Sequence, residues 1–232
     1  MYKKKRVTAI ILAGGSGSRM GTAENKVYLP LGGRPAILYG VETFAGHPYV
    51  DEIVFVVREE ERAEAEALLW RAAVPKTRRF VVGGSSRRES VWNALVDVES
   101  EIVLVHDGAR PFVSAEGITA CVEALDRYEG VILARPMEAP IYKVSRKQKA
   151  PVQLQDTLYA AQTPQGFRTK TLRLCHERHR DNQGITDDSS LLELEGYQVG
   201  IVAGEAWNMK LTTPLDIAIA EAYLSEKNKF PG

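Results

Sequence analysis

A doubly wound α/β fold on a mostly parallel sheet follows from three features of the sequence. Short apolar, β-branched runs recur at Val7–Leu12, Glu52–Val57, Arg79–Val82, Ile102–Val105 and Val131–Ala134. Such runs suit strands buried on both faces. Helix-length segments separate them, the βαβ alternation that makes a sheet parallel. Glycines and hydroxyl residues follow the first and third runs, at the strand ends where such sheets bind ligands. The 232 residues are read as a single domain (1–232), long enough to bury a full core.

Lys3 to Arg6 read as a frayed, solvated start to the first strand. The apolar run behind them is too short for a signal peptide and ends in glycines rather than a cleavage site. Residues 28–33 form a turn-rich connection, and Pro35 is expected as the first helical residue of a segment to about Gly46. After the second strand, 59–73 reads as a covering helix with an acidic start and an apolar stripe through Ala63, Ala67 and Leu68. Ser86 and Glu89 fit a capping box that opens a helix through Ser90, Val91, Ala94 and Leu95. Ser114 can cap the helix behind the fourth strand, expected to reach Tyr128.

Residues 135–158 break the alternation with three prolines and only short apolar runs. They are read as a two-stranded β-arm projecting from the domain, of the kind that docks on a second subunit. Gln162–Phe167 returns the chain to the sheet, 169–180 is helical, and Thr186–Ser189 starts a helix to about Glu195. Gln198–Ala203 is expected as a strand and Asn208–Leu211 as a short one. Thr213, with Pro214 at the first helical position, caps the last helix.

The chemistry centres on Gly14, Gly15 and Gly17, with Arg19 and Lys26 close behind. Glycines let backbone N–H groups converge and a large anion approach, and two cations beside them suit a polyphosphate. A tight turn without a ligand is the plainer reading. No Lys-Ser/Thr pair completes a P-loop, since Thr22 follows Gly21. Met20 replaces the third glycine of a dinucleotide fingerprint, and Arg58 stands where an acid would close the second strand. Gly83 and Gly84 begin a second corner of the same form. Asp107, at the end of the fourth strand, is placed to hold Mg²⁺ or, structurally, to brace the turn against Arg110.

Thirty basic residues balance thirty acidic ones, which leaves no global field for nucleic acid. Cys121 and Cys175 are read as buried thiols of a reduced, cytoplasmic protein. His176 and His179 lack companions for a zinc site and are expected on a solvated helix face. No stretch approaches membrane-spanning length.

The blocks 12–20, Gly83 to Val91, Val105 to Pro111, Gln162 to Gln165, Ile185 to Asp188 and Asn208 to Pro214 come in a telling order. Together they resemble the 2-C-methyl-D-erythritol 4-phosphate cytidylyltransferase family and its close relative, ribitol-5-phosphate cytidylyltransferase. The likeness runs from Ala9 to about Leu224. It implies a Rossmann-like, GT-A-like nucleotidyltransferase, homodimeric through the arm, using Mg²⁺, CTP and a polyol phosphate. Leu12, Ala13, Gly14, Gly15, Gly17, Gly83, Gly84, Ser90 and Asp107 would hold the nucleotide. Arg19, Lys26 and Lys210 would act in catalysis, Asp107 would sit near the metal, and Arg110, Gln155 and Lys210 would bind the acceptor. No Ser–His or Cys–His pair is needed, because a phosphate monoester is already an anion at neutral pH.

Departures fall on the acceptor side. Ala139-Pro140 stands where the family usually has Asp-Thr, and Gln155 where it has arginine. Around Lys26 the usual Pro-Lys-Gln is Asn25, Lys26 and Val27. A different sugar-alcohol phosphate as acceptor, ribitol 5-phosphate foremost, and a catalytically weakened nucleotide-binding homologue are the alternatives.

Overall fold

A computed structural model describes residues 1–15, 25–143, 152–154, 157–180 and 187–229. Along the first half run β1 (Val7–Leu12), β2 (Pro30–Leu31), β3 (Arg34–Pro35), α1 (Ile37–Gly46), β4 (Glu52–Val57), α2 (Arg62–Arg71), β5 (Thr77–Val82), α3 (Arg87–Leu95) and β6 (Ile102–Asp107). The second half adds α4 (Ala115–Ala124), β7 (Gly130–Pro136), β8 (Tyr142–Lys143), β9 (Val152–Gln153), β10 (Tyr159–Arg168), α5 (Thr169–Arg178), α6 (Asp188–Leu194), β11 (Val199–Ala203) and α7 (Pro214–Lys229).

Seven strands form one sheet in the order β11-β7-β10-β6-β1-β4-β5. Only β10 runs against the rest, wedged between β6 and β7. Alternation along the strands feeds two cores. Val7, Ala9 and Ile11 pack with Phe55 and Leu104 against α1, α2 and α4. Ile10, Val54, Val56, Val103 and Val105 pack on the other face against α3, α5 and α6. Both faces are dry, which is why the strands read as unbroken apolar runs. A smaller cluster of Leu31, Phe112, Leu211, Ala220 and Leu224 seats α7 on the β2–β3 hairpin.

Several expectations need correction. Pro35 does not open the helix: it closes a hairpin whose turn, Gly32 and Gly33, has both φ positive, at 57° and 77°. That is the two-glycine turn that matches strand twist, and α1 begins two residues later. α2 buries Ala65 and Leu69, while Ala63 and Ala67 are exposed. A 3-10 turn at Glu59–Glu61 precedes it, and three residues per turn rotate the face that a 3.6 period would bury. α4 stops at Ala124 and the chain reaches Tyr128 through tight turns.

Asn208–Leu211 forms no strand. Side chains and single backbone bonds tie it to the body: Asn208 Nδ2–H donates to Thr163 O at 2.9 Å and Leu211 N–H to Ala109 O at 2.8 Å. The basic start is not frayed either. Tyr2 and Lys5 bridge each other, Tyr2 is buried, and Lys3 pairs with Asp126 at 2.6 Å. Within 135–158 the described residues form a short antiparallel pair, β8–β9. Thr186 lies outside the described residues, and Asp187 caps α6 by accepting from Ser189 N–H. Cys121 and Cys175 are buried free thiols, as expected. Among the described residues no helix is long and apolar enough to cross a membrane.

Candidate active site

The carboxyl ends of the central strands meet at one level. Leu12 of β1 is in register with Asp107 of β6 and Val56 of β4, and Val57 with Val82 of β5. Strand order reverses between β1 and β6, and this switch point is where open α/β sheets leave a crevice. A cleft of about 470 Å³ opens there, within the range of small-molecule sites. Its walls include Leu12, Gly14, Gly15 and Lys26 from the first corner, Gly84, Ser85, Arg87 and Ser90 from the second, and Asp107 and Lys210 between them.

Each wall has a local cause. Ala13 N–H donates to Val56 O at 2.7 Å, so the first corner leaves the sheet only at Gly14. Asn25 brings the chain back: its amide donates to Ala13 O at 2.6 Å and to Glu61 at 2.9 Å, which places Lys26 on the rim. At the second corner Ser86 accepts from Glu89 N–H at 3.1 Å, the expected cap. The Glu89 carboxylate in turn takes the N–H and O–H of Ser85 at 2.7 and 2.6 Å, and these bonds hold its pKa below the usual value. Gly84 N–H donates to Ser90 Oγ at 3.0 Å, turning the loop inward.

Asp107 is the electrostatic centre. Oδ2 accepts from Lys210 Nζ at 2.6 Å, and Oδ1 faces Arg87 Nε at 3.4 Å. Burial works against its ionisation, but Arg87, Lys210 and Arg110 outweigh that and hold the carboxyl well below the usual range. Arg87 is itself anchored on Asp188, 1% exposed, whose other oxygen accepts from His176 Nε2 at 3.0 Å. His176 is therefore buried, not solvated, and it stacks on Trp92 with centroids 6.0 Å apart.

The strand below Asp107 is braced by its neighbours. Burial pushes the His106 pKa down to about 4, so the ring is neutral. Nε2–H donates to Arg110 O at 3.0 Å, which leaves Nδ1 to accept from the Thr163 hydroxyl at 3.0 Å. Thr163 Oγ1 accepts from Asp107 N–H at 3.1 Å. The bond from β10 thus fixes the residue that carries the central charge.

The structure brings Leu12, Gly14, Gly15, Lys26, Gly84, Ser90, Asp107 and Lys210 to one cleft. Ala13 and Gly83 support it from behind, Gly83 with its N–H donating to Val57 O at 2.9 Å and a Cβ there only 3.0 Å from Ser90 Oγ. Arg110 lies off the lining, with Nη1 donating to Asn208 O at 2.7 Å, and the Asp107–Arg110 side-chain brace is replaced by the Lys210 pair. Arg19, Gly17 and Gln155 fall outside the described residues. Arg87, Asn25, Thr163 and Asp188 were missed as site residues. Arg87 carried a usable signal, a cation at the first helical position, where the helix end is already positive.

Two glycine corners facing one ionised carboxylate and several cations, at a parallel-sheet switch point, define an α/β nucleotidyltransferase. Residues 7–226 match the family model of 2-C-methyl-D-erythritol 4-phosphate cytidylyltransferase. The chain belongs to this cytidylyltransferase family. It is 39% identical over 224 residues to the 2-C-methyl-D-erythritol 4-phosphate cytidylyltransferase of Bacillus mycoides, covering 96% of this chain and 99% of that one. The Clostridium tetani protein of the same name is 38% identical over 232 residues, 98% and 94% of the two chains. The crystal structure of 4-diphosphocytidyl-2C-methyl-D-erythritol synthase from Anaerococcus prevotii superposes with a TM-score of 0.86, at 30% identity over 95% of this chain and 96% of that one.

Proposed function

We propose that the cleft seats CTP and that the enzyme passes its cytidylyl group to 2-C-methyl-D-erythritol 4-phosphate, releasing pyrophosphate. The observation that carries this reading is the ionised Asp107 held between Lys210 and Arg87 above two glycine corners. The acceptor phosphate attacks the α-phosphorus of CTP, the bond to the β-phosphate oxygen breaks, and charge builds on the leaving pyrophosphate. A phosphate monoester has a second pKa of about 6, so no base is needed to make it a nucleophile. Lys26 and Arg19 offset the charge on the triphosphate, while Lys210, Arg110 and Gln155 orient the acceptor. Catalysis is then mainly positioning and charge stabilisation. Gly14, Gly15, Gly17, Gly83, Gly84 and Ser90 form the nucleotide's seat.

Asp107 fits a divalent cation as one hard, ionised oxygen donor on the cleft wall. Among the described residues no three His, Cys, Asp or Glu side chains cluster to hold a resident ion. Asp107 would hold Mg²⁺, and the ion would supply neutralisation of the phosphates' charge. We place the enzyme in the cytoplasm, where Cys121 and Cys175 stay reduced, and as a homodimer through the 135–158 arm. Support for the dimer comes from Met137 and Tyr142, each more than 40% exposed along that arm.

A pyrophosphate-release assay with CTP tests the reading over a panel of acceptors. Turnover with 2-C-methyl-D-erythritol 4-phosphate is expected. Turnover only with ribitol 5-phosphate would overturn the acceptor, and CTP binding without any turnover would mark a nucleotide-binding homologue. Sedimentation of wild type and of a chain lacking the arm tests the dimer.

A further inference from the structure

Arg87 sits between two carboxylates and treats them unequally. Its Nη1 meets Asp188 Oδ2 at 2.5 Å, but its Nε stands 3.4 Å from Asp107 Oδ1. Asp188 is 1% exposed, and among the described residues Arg87 and His176 satisfy it. Nothing in α3 calls for arginine at its first position, where the positive helix end opposes a cation. Without Asp188, the planar guanidinium would be drawn to the remaining carboxylate and close on it through two parallel hydrogen bonds. Lys210 holds the other oxygen of Asp107 from a flexible stem and can give way. A forked arginine grip would not.

We propose that Asp188 is a positioning residue for the transfer reaction: it parks Arg87 so that its hold on Oδ1 of Asp107 stays long, at 3.4 Å, and yields to a divalent cation arriving with the nucleotide. The inference rests on the reading of Asp107 given under Proposed function. Asp188 acts through Arg87 from beneath the cleft wall, with His176 completing its shell. Removing its charge while keeping its shape should therefore weaken the cation's site more than the nucleotide's seat, of which Arg87 is one wall.

Mn²⁺ affinity of the protein–CTP complex, measured by electron paramagnetic resonance, tests this in wild type, D107N, D188N, R87Q and R87Q/D188N. D188N should bind Mn²⁺ roughly 10- to 100-fold more weakly, the usual effect of losing a group that orients a ligand. Its affinity for CTP alone should change far less than that, and R87Q/D188N should recover most of the lost Mn²⁺ binding. Wild-type Mn²⁺ affinity in D188N, or a double variant no better than D188N, overturns the proposal. If D188N does not fold, R87Q alone decides: Mn²⁺ affinity at saturating CTP at or above wild type supports the parking role, and weaker Mn²⁺ binding refutes it. Undiminished Mn²⁺ binding in D107N would instead overturn the metal reading of Asp107 and this inference with it.

Discussion

Replacing Gly108 by alanine should disturb the floor of the cleft. Gly108 follows Asp107, and its N–H donates to Leu12 O at 2.9 Å, joining the ends of β6 and β1. A Cβ there would lie 2.9 Å from Leu12 O and 3.2 Å from Ile37 Cδ1. Ordinary contact begins at 3.4 Å, so about 0.5 Å must be found against backbone on one side and a buried isoleucine on the other. Overpacking of this kind costs about 1–3 kcal/mol. For a chain of this size the melting temperature should fall by about 2–12 °C. Asp107 moves with the strand end, and turnover should drop about tenfold. Calorimetric melting and pyrophosphate release read the two effects separately. Gly15→Ala is the control: nothing among the described residues lies within 4 Å of the added carbon. Its stability should stay within about 0.5 kcal/mol of wild type, while CTP affinity falls because the methyl group stands where the triphosphate comes close. G108A melting and turning over like wild type, or G15A destabilised equally, would refute the reasoning.

Lys26→Ala should lower kcat for pyrophosphate release by about 10²–10³, the loss of one charge-stabilising group, with melting little changed. His106 should make stability depend on pH. The unfolded chain takes up a proton below about 6.5 that the folded protein refuses until about 4, so stability falls as pH drops through that window. The slope from this residue is about 1.4 kcal/mol per pH unit; urea melts of H106Q across the same window should be flatter than wild type. Thr163→Val removes a donor and an acceptor from a buried relay and should cost about 1–3 kcal/mol; Thr163→Ser should restore most of it in the same denaturation assay.

Much of the fold was legible because its strands are buried on both faces and so announce themselves. The two glycine corners were legible for a different reason: hydroxyl caps and glycines act within a few residues, and Ser86 caps α3 as its spacing implied. His176 misled because its helix segment looks polar, and only the approach of Asp188 and Trp92 buries it. The stripe on α2 was misplaced because a short 3-10 turn reset the phase of the helix. Asn208–Leu211 looked like a strand from its composition, yet its backbone joins no sheet and Leu211 N–H reaches Ala109 O in the turn after β6 instead. Thr163 and Arg87 could not be weighed as site residues, since their roles depend on partners 57 and 101 positions away.

By itself the sequence determined the parallel sheet, the two phosphate-suited corners, the place of Asp107 at a strand end and membership of a cytidylyltransferase family. These are carried by periodicity and by short motifs, whose causes lie within a turn or a strand. Only the tertiary structure decided which charges meet: Lys210 on Asp107, Arg87 shared with Asp188, and Thr163 beneath them. Coulomb and hydrogen-bond energies depend on distance in space, and that distance is set only when strands and helices far apart in the chain pack together.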